Sequence, residues 1–101
     1  MKAKYTSKLS VNGVDIAVND FVESYLANIV VGTVLSLKGV DYLRNIELKL
    51  EGTDVSIRVN GEEISLTPFP NDLIAGTIKG LVSSFKGVKG INSLHVHVEV
   101  K

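Results

Sequence analysis

The chain contains no cysteine and no tryptophan, and its 101 residues include only two prolines, one methionine, three tyrosines and three phenylalanines. Without cysteine there is no disulfide framework, no thiolate nucleophile and no cysteine-ligated zinc. Neither sign of charge is in excess, since 11 Lys and Arg balance 11 Asp and Glu. That balance argues against an electrostatic binder of nucleic acid or anionic lipid. The longest uncharged stretch, residues 24–37, falls short of the roughly 20 residues a membrane span needs. Lys2 and Lys4 are followed by no apolar run of the kind a secretory signal carries. The expectation is one soluble, cytoplasmic domain over residues 1–101, without membrane or nucleic-acid partners and without a cofactor.

What is present is a repeat. Shifted by 48 positions, residues 1–53 fall on 49–101 without a gap, and 13 of the 53 pairs are identical, where composition alone gives roughly three to four. Val11-Asn12-Gly13 meets Val59-Asn60-Gly61, Phe21 meets Phe69, Gly32 meets Gly80, and Lys38-Gly39-Val40 meets Lys86-Gly87-Val88. Many other pairs are apolar on apolar, such as Leu9 with Ile57 and Leu48 with Val96. Two repeats are expected, over about 5–51 and 53–99.

Within the first repeat, Leu9 and Val11 alternate with Lys8 and Ser10, then Asn12-Gly13 supplies the residues a type I′ hairpin turn requires. Val14, Ile16 and Val18 continue the alternation. From Asp20, read as an N-cap with Glu23 three residues on, the period changes to helical. Phe21, Val22, Tyr25, Leu26, Ile29, Val30, Thr33, Val34 and Leu37 form the expected buried stripe, and Lys38-Gly39 the stop, with glycine in the left-handed position. A strand follows at 43–51. The second repeat reads the same way, with Thr67 to Asn71 as a loop, a helix from Asp72 to Lys86 and a last strand at 93–100. The fold class is α+β: an internally duplicated ββαβ unit giving six mostly antiparallel strands, with two helices packed on one face.

The helices are unusual. A helix lying on a sheet ordinarily has a charged outer face, yet 24–37 carries no charge and Lys79 is the only charged residue between Leu73 and Phe85. Small side chains recur every four residues, at Asn28, Gly32 and Ser36 and at Gly76, Gly80 and Ser84. Glycine inside a helix costs about 1 kcal/mol relative to alanine. Close approach of another helix accounts for it, either the other helix of the chain or that of a second copy. Val31 and Leu35 lie outside the expected stripe and call for a further covering surface. The leading expectation is therefore a non-catalytic interaction module that homo-oligomerises, as a dimer, through Asn28, Val31, Gly32, Leu35, Ser36, Gly76, Gly80 and Ser84, with a further protein partner also compatible. The alternative is a small apolar ligand held in the cleft between the helices, near Tyr25, Phe69, Thr77 and Phe85.

Two chemical constellations remain. His95, His97 and Glu99 alternate along one strand and share a face, at a spacing that lets two imidazoles and a carboxylate grip a zinc ion. The matched residues Glu47, Lys49 and Glu51 suit an ordinary solvated face instead. Lys86-Gly87-Val88-Lys89-Gly90 follows a helix C-terminus, the wrong end for cradling phosphate. No nucleophile elbow or triad occurs, and the expectation is against catalysis.

Overall fold

The computed structural model describes residues 5–101; Met1 to Lys4 lie outside the described residues. The elements in chain order are β1 (Tyr5–Val11), β2 (Val14–Ile16), α1 (Asp20–Leu37), β3 (Asn45–Glu51), β4 (Asp54–Val59), β5 (Glu62–Ile64), α2 (Pro68–Ser83) and β6 (Ser93–Val100). The strands form one antiparallel sheet in the order β2-β1-β6-β3-β4-β5. The class is thus α+β, with six antiparallel strands and two helices.

Pairing registers recur at an interval of 48 residues. Leu9 lies opposite Ile16 as Ile57 lies opposite Ile64, and Leu9 opposite Val96 as Ile57 opposite Leu48. At the centre of the sheet Leu48 faces Val96 itself. Consequently β6 is seated between β1 and β3, and β3 between β6 and β4.

Each Asn-Gly hairpin does more than turn the chain. Asn12 and Asn60 both sit at φ 52°, in the left-handed region that asparagine tolerates. The Asn60 side-chain oxygen accepts from the backbone N–H of Arg44 (2.8 Å) and Asn45 (3.2 Å), and its amide donates to the carbonyl of Tyr42 (2.6 Å). Asn12 treats the start of β6 alike: its oxygen accepts from Asn92 (2.8 Å) and Ser93 (3.0 Å), and its amide donates to Gly90 (2.7 Å). Each turn asparagine clamps the entry of a central strand from the opposite half of the chain.

One face of the sheet carries the core. Leu9, Ile46, Leu48, Leu50, Ile57, Leu94, Val96 and Val98 are buried on it, each full burial contributing about 1.5–3 kcal/mol. Helix α1 lies over β1 and the central strands and α2 over β4. The buried Ser7 hydroxyl donates to the carbonyl of Glu23 (2.8 Å), tying β1 to α1. At the matched place, Asn71 accepts from the N–H of Val55 and donates to the carbonyl of Thr53, both at 2.8 Å, tying α2 to β4.

Several local expectations are corrected. The N-cap of α1 is Asn19, whose side-chain oxygen accepts from Val22 N–H at 2.8 Å; Asp20 and Glu23 occupy the first turn, where the helix dipole favours negative charge. Helix α2 begins at Pro68 rather than Asp72, because proline suits a first helical turn whose N–H groups have no partner within the helix. It also ends at Ser83, and turns at Ser84 to Val88 complete the descent, with Gly87 at φ 89°. Gly39 does not adopt the left-handed conformation; α1 closes when Lys38 N–H donates to Val34 in an extended C-cap.

The Asn60 clamp is open to measurement. Asn60→Ala removes three hydrogen bonds and puts at positive φ a residue that tolerates it less well than asparagine, so urea unfolding is expected to show a loss of about 2–3 kcal/mol. Asn60→Gly, which relieves only the backbone strain, should recover about 1 kcal/mol of it.

Candidate functional site

The two helices do not lean on each other. Between them runs a cleft of about 360 Å³. Its floor is Leu48 of β3; one wall is the C-terminal half of α1, with Ile29, Val30, Thr33, Ser36 and Leu37. The other wall is α2 from its first turn to Ile78, with Phe69, Pro70, Leu73, Ile74, Thr77 and Ile78. No charged side chain lines it among the described residues. Phe69, 74% exposed, and Leu73, 57% exposed, stand on its rim.

Of the four residues expected at the cleft, Phe69 and Thr77 line it and Tyr25 and Phe85 do not. Tyr25 stacks on Phe21, ring centroids 5.8 Å apart, and Phe85 packs against the core. The 48-residue shift places Leu73 at the position of Tyr25, and Leu37 at that of Phe85. The open cleft thus carries the smaller member of each matched pair. Ile29, Thr33 and Leu37 were read as core stripe; they turn to the cleft because the stripe that α1 buries is Leu26, Ala27, Val30, Val31 and Val34.

Val31 is accordingly corrected as an interface residue. It is only 6% exposed and belongs to the core, whereas Leu35 is 50% exposed, as the outward position requires. Asn28, Gly32, Ser36, Gly76, Gly80 and Ser84 are all exposed. A β-carbon built at Gly32, Gly76 or Gly80 meets nothing within 4 Å, so no close approach inside the chain accounts for these glycines. With Phe21, Tyr25, Leu35, Phe69 and Leu73 also exposed, the outer helical surface is broad and apolar. With its first turn included, α1 is by length and composition apolar enough to cross a membrane, but five of its residues supply the core.

On the opposite face of the sheet, Lys8, His97, Glu47 and Arg58 form one cross-strand row. His97 Nε2 is 2.8 Å from Glu99 Oε1, while its Nδ1 and His95 Nε2 approach Glu47 Oε1 at 3.8 and 3.5 Å. The expected set of His95, His97 and Glu99 does not converge on a shared point, since Glu99 pairs with a ring nitrogen of His97 and Glu47 reaches across from β3. Among the described residues no three His, Cys, Asp or Glu are arranged to hold a metal ion. The register that places Glu47 beside both histidines depends on strand order, which local sequence does not encode.

Compared with known proteins, the chain matches no family model, no curated protein and no solved structure. The site is therefore argued from its own geometry.

The outward glycines yield a stability prediction. Gly32→Ala, Gly76→Ala and Gly80→Ala each add a methyl group to open space in a helix, so thermal unfolding of dilute protein should show a gain of about 0.5–1 kcal/mol apiece.

Proposed function

We propose that this protein is a non-catalytic assembly module, built by duplication of a ββαβ unit, that pairs with a second copy of itself through its helical layer. The observation that carries the reading is the composition of that layer's outer surface. Outward-facing glycines and exposed Phe21, Leu35, Phe69 and Leu73 stand on helices nearly devoid of charge, while charge is concentrated on the far side of the sheet. Exposed apolar surface of this breadth is costly in water and characteristic of contact sites. Glycine rows let a partner's helices approach closely.

The area is sufficient. The molecule is a slab of 37 × 36 × 18 Å, and its broad face exceeds the roughly 800 Å² per partner that a stable interface buries. A second copy suits the surface because an isologous contact sets a charge-poor face against an equally charge-poor one, with Asp20, Glu23, Asp72 and Lys79 as the only helix charges. Cytoplasmic residence belongs to the same proposal, as does the absence of a resident cofactor.

A second reading has its own support: the inter-helix cleft has the size and apolar lining of a small-molecule site. The two are compatible, because the cleft opens within the surface assigned to pairing.

The test is the mass of the particle in native mass spectrometry and light scattering. The wild type is expected at twice 10.9 kDa. Leu35→Glu combined with Leu73→Glu, both exposed positions, should leave a folded monomer, whereas Ser56→Glu on the polar face should leave the dimer intact. A wild-type mass of one chain at tens of micromolar overturns the reading, as does a dimer unaffected by the double change. Val31→Glu is unsuitable, since it buries a charge in the core and unfolds the chain.

A further inference from the structure

We infer that the cleft between α1 and α2 selects a neutral, largely apolar molecule bearing a hydrogen-bond donor, an alcohol or phenol, and rejects carboxylates. This rests on the cleft as a ligand site, the second reading above, and specifies the chemistry of what it takes.

Hydrogen-bond donors and acceptors are unequally supplied in the cleft. Three hydroxyls line the cleft, and each spends its proton on the helix behind it. Thr33 Oγ1 donates to the carbonyl of Ile29 at 2.8 Å, Ser36 Oγ to that of Gly32 at 2.8 Å, and Thr77 Oγ1 to that of Leu73 at 2.9 Å. A hydroxyl has one proton and two lone pairs, so after donating it remains an acceptor. Thr33 and Thr77 come from opposite helices, and acceptors therefore stand on both walls.

Donors are missing. No lysine, arginine, histidine, asparagine, glutamine or tryptophan lines the cleft among the described residues, and backbone N–H groups within the helices are already engaged. The N-terminus of α2 lies at one end, where free N–H groups ordinarily attract anions. Here Pro68 and Pro70 occupy two of the first three helical positions and carry no N–H, and Asn71 N–H donates to Thr67, so the anion-binding end is reduced to the single N–H of Phe69. A carboxylate placed in this cleft would give up water for apolar walls and oxygen lone pairs, an unpaired buried charge. A phenol or alcohol buries its carbon skeleton against Ile29, Leu48 and Leu73 and donates its one proton to Thr33 or Thr77. An ether or ketone finds no side-chain donor and gains chiefly the apolar contact.

Three probes of matched skeleton separate these cases: 4-propylphenol, propylbenzene and 4-propylbenzoate, titrated at pH 7 into ¹⁵N-labelled protein and followed by amide shifts along α1 and α2. The phenol is expected to bind about three- to tenfold more tightly than propylbenzene, the worth of one net hydrogen bond, and the benzoate to leave the cleft amides unmoved at millimolar concentration. In Thr33→Val combined with Thr77→Val and Ser36→Ala, which removes all three acceptors with little change of shape, propylbenzene still binds while the advantage of the phenol falls towards one. If the benzoate binds as well as the phenol, or the phenol no better than propylbenzene, the polarity inference is overturned while the cleft stands as an apolar site. If none of the three moves the cleft amides, the cleft reading is overturned together with it.

Discussion

The architecture depends on one pairing, the antiparallel contact of β3 with β6 at the middle of the sheet, where Leu48 faces Val96. Neither strand is held by its own half alone. Each is flanked on its other side by the first strand of the opposite half, and its entry is clamped by the turn asparagine of that half. Long-range pairing of this sort is costly in loop-closure entropy until several contacts form together. The Asn12 and Asn60 clamps lower that cost by holding the strands at the point where each begins. The halves are interlocked, and removal of one leaves the other without the neighbour of its last strand.

From that interlock follows the position of the helices. Each helix connects a flanking hairpin to a central strand, so α1 is drawn towards β1 and α2 towards β4, on either side of the centre line. Two helices on six strands leave a gap above the central pair, and Leu48 becomes its floor. The cleft is a result of topology, and side-chain size then decides where it stays open. The same geometry leaves the outer helical surface bare, because no further element of the chain crosses it.

Much of this was legible from residue patterns. Strand alternation, the paired Asn-Gly turns and the helix stops depend on neighbours in sequence, and they placed all eight elements to within a few residues. Strand order did not follow, since it depends on which distant edges meet. The face of α1 was misjudged for a more instructive reason. A helix reveals its buried side through charge on the opposite side, and residues 24–37 have none. The apolar stripe was centred near Ile29 and Thr33, whereas burial follows Ala27, Val30, Val31 and Val34. The lack of charge on which the pairing proposal rests also hides the rotation of the helix about its own axis. At α2 the error was one of boundary: Pro68 and Pro70 read as loop residues, yet proline is at home in the first helical turn.

The apolar helical surface and the cleft within it are thermodynamically one system. In the proposed pair a second copy seated on the helices would cover the mouth of the cleft, since Phe69 and Leu73 belong to both the rim and the outer surface. A molecule in the cleft therefore alters the surface that the partner meets. Whatever factor its binding contributes to pairing, pairing must contribute to its binding. The sign turns on Phe69. If this exposed ring swings inward over an occupied cleft, the paired surface becomes flatter and ligand and partner reinforce each other. If the ligand instead props it outward, they oppose. In the proposed pair the outward glycines would act on only one side of this balance: they weaken the isolated helices and leave room for a neighbour, so their cost would be offset only on assembly.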